Sequence, residues 1–201
     1  MADEADEAAP GAGRPTSMRA VRVEAETPDR EPPGAEPWLE RIRQVVEERD
    51  LSAETPFLKT LEKFLTVTWS ESGDDRLGHT RFEMSHADIE RRRRLSMPPG
   101  PVTVHLHPVL ADDDGLLAHT YVHELLHAAG MTEHDALHDE LVRQLAPMPT
   151  LAESPLLQRL RGAVLAEQEI TAWDCEHCGF SWQRGTVRPP LRCPKCARRF
   201  R

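Results

Sequence analysis

The sequence predicts an α+β chain: a mainly helical body with a small antiparallel sheet, followed by a short four-cysteine ribbon. Three observations predict it. Apolar residues recur at helical spacing over much of residues 38–170. Two short runs, Thr80 to Met84 and Val102 to Leu106, alternate polar and apolar instead. Two Cys-x-x-Cys pairs, Cys175/Cys178 and Cys193/Cys196, stand near the end of the chain with 14 residues between them.

Each element has its own signal. Pro37 suits the first turn of a helix, and Trp38, Ile42, Val45 and Val46 repeat on one face. Thr55-Pro56 reads as an N-cap and first-turn proline, opening a helix through Phe57, Leu58, Leu61, Phe64 and Leu65. Thr66 to Trp69 is β-branched and aromatic, which suits a strand. Glu71 to Gly78 is turn-rich, and the strand Thr80 to Met84 follows. Ser85 with Asp88 resembles a capping box for a helix over 86–95. Pro98 to Pro101 breaks the chain before the half-buried strand of Val102, Val104 and Leu106. Asp112 to Asp114 offers N-caps for a helix over 115–129, which Gly130 ends. Thr132 and Asp135 are caps for a helix over 133–145, stopped by Pro147 and Pro149. Ser154-Pro155 starts one more, with Leu156, Leu157, Leu160 and Val164 on its face.

Charge divides the chain. Residues 1–37 hold nine acids, four arginines and six prolines, net −5, with no apolar periodicity. Such a segment cannot bury enough apolar surface to offset its ordering entropy, so it reads as a disordered acidic tail. A hydrophobic share of only 39% agrees with an unpacked portion. Residues 38–170 carry net −9 and residues 171–201 net +5, so a basic module follows an acidic body. The whole-chain charge of −9 argues against a uniformly nucleic-acid-binding surface and leaves room for a local basic patch. No run approaches the ~18 apolar residues of a membrane span. Met1 to Pro10 is acidic and has no apolar h-region. The expectation is a cytoplasmic chain, neither secreted nor membrane-bound, whose four cysteines are metal ligands rather than disulfides.

His123-Glu124-Leu125-Leu126-His127 carries the first chemistry. On a helix, residues four apart share a face, so both imidazoles can reach one ion. Glu124 can take a proton from water on that ion. Catalytic zinc takes three protein ligands and keeps a fourth position open. Its bound water has a pKa near roughly 7. The spacing fits metal-assisted hydrolysis with Glu124 as general base on zinc-bound water. Candidates for the third ligand are Glu133, His134, His138, Asp139 and Glu140. In a helix over 133–145, Leu137, Leu141, Val142 and Leu145 define an inner face. At ~100° per residue, His134 and His138 fall inside that arc and the acids outside or at its margin. One of these two histidines is the expected ligand, and both stay open. His119 reads as structural or as a support to the metal ligands, and His105 and His107 as ordinary surface residues of a strand, with a place at the cleft as the alternative for one of them.

Four thiolates bind zinc tetrahedrally and leave no open position. Cys175, Cys178, Cys193 and Cys196 therefore form a structural site, and the metal supplies much of the folding free energy of so short a segment. Phe180, Trp182 and Val187 are its expected core. Arg184, Arg188, Arg192, Lys195, Arg198, Arg199 and Arg201 give it charge, and with a nearby aromatic they suit phosphates and stacked bases. The Arg91–Arg94 run is a second basic patch, read as a solvated helix surface.

The order of these parts resembles the SprT/Spartan-like zinc metallopeptidase family over residues 38–201. Phe64 to Trp69 precedes a turn and the strand Thr80 to Met84. Val102-Thr-Val-His-Leu-His-Pro-Val-Leu110 is similar to the family's edge strand. Tyr121-Val-His-Glu-Leu-Leu-His127 resembles its active helix, and a zinc ribbon follows, as in many members. The resemblance implies a zincin-type fold with one catalytic and one structural zinc. It places the family's zinc histidines at His123 and His127 and its catalytic acid at Glu124. The family's third histidine precedes a bulky residue by four positions, which His138 with Val142 imitates; His134 has His138 at the same offset. It implies an endopeptidase for protein substrates, including proteins crosslinked to DNA, tethered to DNA by the basic ribbon. A substrate strand is expected to pair with an edge at Val102 to His107. The alternative is a non-catalytic scaffold whose ribbon binds nucleic acid or a protein.

Overall fold

The computed structural model describes residues 25–71, 74, 76–166, 172–183, 185–186, 188 and 190–200. Residues 1–24 of the expected tail lie outside it, as do Arg184, Val187 and Arg201 of the ribbon. The chain is α+β. Helix α1 (Glu36–Glu48) has a proline in its first turn and buries Leu39, Ile42 and Val46 on one face. The helix expected after Thr55-Pro56 is a single turn, α2 (Leu58–Leu61). The Lys63 and Phe64 N–H groups close onto Thr60 and Leu61, three residues back. The β-branched run then enters strand β1 (Leu65–Trp69), where pairing overrides the helical period.

Strand β2 (Gly78–Phe82) begins two residues earlier than the alternation suggests. Strand β3 (Val102–Leu106) pairs in parallel with β1 and antiparallel with β2. The sheet is therefore mixed rather than antiparallel, and β3 is its centre rather than an edge. A parallel neighbour needs a crossover of roughly a dozen residues or more, and the chain between β1 and β3 supplies it. Alternation reveals which face of a strand is buried, but not which strands flank it.

Ser85 caps α3 (His86–Arg94), its hydroxyl accepting from the Asp88 N–H at 3.2 Å. A 3-10 turn, Pro108–Asp112, leads into α4 (Asp114–Ala128). Helix α4 is central: it packs on β2, on β3 and on α5 (Ala136–Leu145). It buries Leu116, Tyr121, Val122, Leu125 and Leu126. Residues from Ala25 onward lie against this body. Tyr121 donates to the Pro33 carbonyl at 2.9 Å and the Trp69 indole to that of Arg30 at 2.7 Å. Among the described residues no helix is long and apolar enough to cross a membrane.

Asp113 joins two helices. One carboxylate oxygen accepts from the Leu116 N–H at 3.0 Å and caps α4. The other accepts from the Ser154 hydroxyl, and from the Leu156 N–H at 3.3 Å, where α6 (Pro155–Ala166) begins. Burial alone would raise its pKa, but the Ser154, Leu116 and Leu156 hydrogen bonds outweigh it and hold the carboxyl below its ordinary value. Asp113→Ala should therefore cost ~2–4 kcal/mol in urea unfolding, a lost cap plus buried donors left unpaired. With the folded pKa depressed, this stabilisation is complete above the unfolded value of about 3.9 and is lost as pH falls through the lower folded value.

Candidate metal centres

His123 and His127 stand one turn apart on α4. At its end the Gly130 N–H bonds the His127 carbonyl at 3.0 Å, and the Met131 N–H bonds that of Leu126 at 3.1 Å. This is a Schellman turn, and it puts Gly130 at φ +113°. A Cβ there would also lie 2.9 Å from Pro56 Cδ, so glycine is required on both counts. The turn brings the chain back over the end of α4 and sets His134 beside the other two histidines.

The Nε2 atoms of His123, His127 and His134 lie 3.1 Å from one another. Each nitrogen either donates or accepts. In a triangle two of the three must be alike, so hydrogen bonds cannot satisfy every side. A cation satisfies all three. His127 Nδ1 sits 2.6 Å from the Met131 carbonyl, which can only accept. That nitrogen therefore carries the proton, and Nε2 presents its lone pair to the centre. Tetrahedral zinc with ~2.0–2.1 Å bonds sets its nitrogens roughly 3.3 Å apart, close to the spacing here. Burial, reinforced by the neighbouring imidazoles, lowers His123 to about 3. Burial likewise takes His127 to about 4, against the Met131 carbonyl. Both are neutral, as metal ligands must be.

His134 belongs to the turn and not to a helix over 133–145. Helix α5 starts later because the Asp135 carboxylate caps it, accepting from the His138 N–H at 2.8 Å. His138 reaches the same centre from α5. Ring nitrogens of His123, His127 and His138 lie within 4.8 Å of one another. The tighter triangle makes His134 the better-fitting third ligand, while His138 stacks on His127 with ring centres 4.5 Å apart. Of the acids considered, Glu140 pairs with Arg49 at 3.1 Å and Glu133 is exposed. His119 Nδ1 is tied to the Ala146 carbonyl at 2.8 Å, a structural contact. His105 stacks on His79 at 4.4 Å, on the face of the sheet away from α4. His107 is buried rather than on the surface as expected, because it caps the 3-10 turn that follows, its Nδ1 accepting from the Val109 N–H at 3.1 Å.

Glu124 is 6% exposed and lies beneath β2. Thr80 Oγ1 is 2.9 Å from both Glu124 Oε2 and the Glu124 carbonyl oxygen. Gly78 allows this approach: a Cβ there would stand 2.7 Å from Thr120 Cγ2 and 2.9 Å from Glu124 Cγ. Burial lifts the Glu124 carboxyl to about 7, with the Thr80 hydroxyl and Arg76 opposing. Such a group can accept a proton near neutral pH. Sequence reasoning missed Gly78 and Thr80. Thr80 is 44 residues from Glu124, and only small residues entering a strand hinted at a close helix contact.

The four cysteines gather in the second centre and form no disulfide. The Cys175–Cys196 and Cys178–Cys193 sulfurs are 3.8 Å apart. Tetrahedral zinc with ~2.3 Å bonds calls for about that spacing. The knuckles match: Gly179 N–H bonds Cys175 O and Ala197 N–H bonds Cys193 O, with Gly179 and Ala197 both left-handed. Burial opposes ionisation of Cys193, yet the Cys196 and Lys195 N–H groups hold it down to about 7. Strands β4 (Ala172–Asp174) and β5 (Ser181–Gln183) pair above the site. The small core is Trp173, Trp182 and Phe200, with Phe180 on Trp182. Arg188, Arg192, Lys195, Arg198 and Arg199 are exposed around it. No family model matches this chain, and no curated protein and no solved structure matches it either, so the likeness drawn from its motifs stands on those motifs alone.

Proposed function

We propose that this chain is a zinc-dependent endopeptidase of zincin-type fold acting on DNA-associated or DNA-crosslinked proteins. One observation carries the reading: a triangle of imidazole nitrogens at 3.1 Å, with the buried carboxyl group of the residue that follows His123 lifted to about 7. His123, His127 and His134 would hold zinc, which would supply a Lewis acid and lower the pKa of water there to about 7. Glu124 accepts the proton of the attacking water and returns it to the leaving amide nitrogen. Of its two oxygens, Oε2 is the one that Thr80 engages.

The substrate strand belongs on β2 and not on β3, which has partners on both sides. The His107 N–H bonds Leu77 O and the Glu83 N–H bonds Pro101 O. By antiparallel alternation, His79 and Arg81 also turn their backbone groups to β3. The N–H and C=O groups of Gly78, Thr80 and Phe82 then point to the free edge. The same residues share the face that meets α4, so a peptide paired there runs beside Glu124. Recognition by main-chain hydrogen bonds reads little side-chain identity, and low sequence selectivity follows. The exposed cations of the ribbon support salt-sensitive nucleic-acid binding.

Native mass spectrometry tests the centre directly. Two zincs per chain are expected, falling to one in His123→Ala, with cleavage of an unfolded protein lost in parallel. One zinc in both forms, unchanged by added zinc, would favour the non-catalytic scaffold.

A further inference from the structure

His138 is the unexplained residue of the histidine centre. It is 0% exposed, and neither ring nitrogen makes a hydrogen bond. The His123 carbonyl faces the ring without reaching hydrogen-bond geometry, and the nearest Asp139 oxygen is 3.8 Å from Nδ1. Buried polar groups are rarely left so. A leucine or phenylalanine would fill the space without that penalty.

The ring positions suggest what the imidazole is for. All six pairs among His123, His127, His134 and His138 have centres 4.5–5.5 Å apart. Four imidazoles around one tetrahedral ion, with ~2.0–2.1 Å bonds, would have centres about 5 Å apart. The two possible third ligands differ in footing. His134 is exposed on a turn between exposed Glu133 and Asp135, and His138 is buried on α5.

Resting on the metal reading above, we propose that His138 is a reserve ligand, so that the metal can pass from His134 to His138 without leaving the protein. The exchange breaks one metal–nitrogen bond and forms another between neutral imidazoles, and no proton moves. The outer set, with His134, rests on an exposed turn, and the inner set, with His138, on a buried position of α5.

The experiment counts zinc in the full chain by native mass spectrometry after dialysis, in the wild type, His134→Ala, and His134→Ala/His138→Phe. Phenylalanine preserves the ring and donates nothing. His138→Leu replaces it if circular dichroism shows that the phenylalanine variant unfolds, and the ribbon's zinc is an internal reference in every form. Expected are two zincs in the wild type, two in His134→Ala and one in the double variant. Cobalt loaded into His134→Ala should show a tetrahedral visible band that the double variant lacks. A fall to one zinc in His134→Ala alone would overturn the proposal, as would a double variant that holds as much as the single. One zinc in the wild type itself would instead remove the metal reading, and this inference with it.

Discussion

Glu124→Gln should lose about 10²–10⁴-fold in kcat/KM while both zincs stay bound, the range for removing a positioned general base. Glutamine keeps the size of the side chain and can still meet the Thr80 hydroxyl, which now lies 2.9 Å from Oε2. It cannot take a proton. The variant therefore separates the base from the metal, because His123 and His127 are untouched. The pH profile carries the same signature. A base works when deprotonated, so activity should rise with pH through the pKa of Glu124. Burial lifts that value to about 7, and a cation in the neighbouring triangle pulls it down. The acid limb should therefore have its midpoint between the ordinary carboxylate range and about 7, and should vanish in the glutamine variant. Near-wild-type turnover in Glu124→Gln would sink the mechanism.

Cys193→Ser should unfold the ribbon and leave the body intact. Among the described residues the ribbon's own core is little more than Trp173, Trp182 and Phe200. Structural zinc contributes an apparent ~10–16 kcal/mol in comparable small modules, far more than such a core can supply. The serine variant should lose the ribbon's zinc and the dispersed amide signals of β4 and β5, while the histidine centre stays loaded. Nucleic-acid binding should go with it. If the exposed Arg188, Arg192, Lys195, Arg198 and Arg199 each meet a phosphate on duplex DNA, the slope of log K against log salt is about −4.5. DNA binding that survives the substitution with its slope unchanged would place the nucleic-acid contact elsewhere, for instance on the Arg91–Arg94 face of α3.

Local signals were the legible ones. The caps at Ser85, Asp113 and Asp135 are written in single side chains that act within three residues of themselves, and each stands where a helix begins. The His123–His127 face follows from one helical turn, and the cysteine knuckles from their spacing. Helical period misled where another interaction ended the helix first. Phe64 and Leu65 fit the face begun at Phe57, but Phe64 falls in the closing turn and Leu65 in the strand. His134 fits the arc of a longer α5, but Asp135 caps that helix one residue after it. Its place beside His123 and His127 comes instead from a glycine turn. Strand order was not legible, because the alternation of β3 is the same in the middle of a sheet as at its edge. Nor was the Thr80–Glu124 contact, since nothing near either residue in sequence specifies the other.

That difference in range has a consequence for assembly. The four histidines all fall within residues 123–138, whereas Gly78 and Thr80 come from a strand some 44 residues away. Closing a short loop is entropically cheaper than docking a distant strand. The histidine cluster on α4 and its turn can therefore gather before the sheet has settled over Glu124. In that condition Glu124 has neither its anchor nor its dry surroundings. Under the function proposed above, metal uptake and hydrolytic competence would then be successive events, and a metallated chain would be silent until β2 closes.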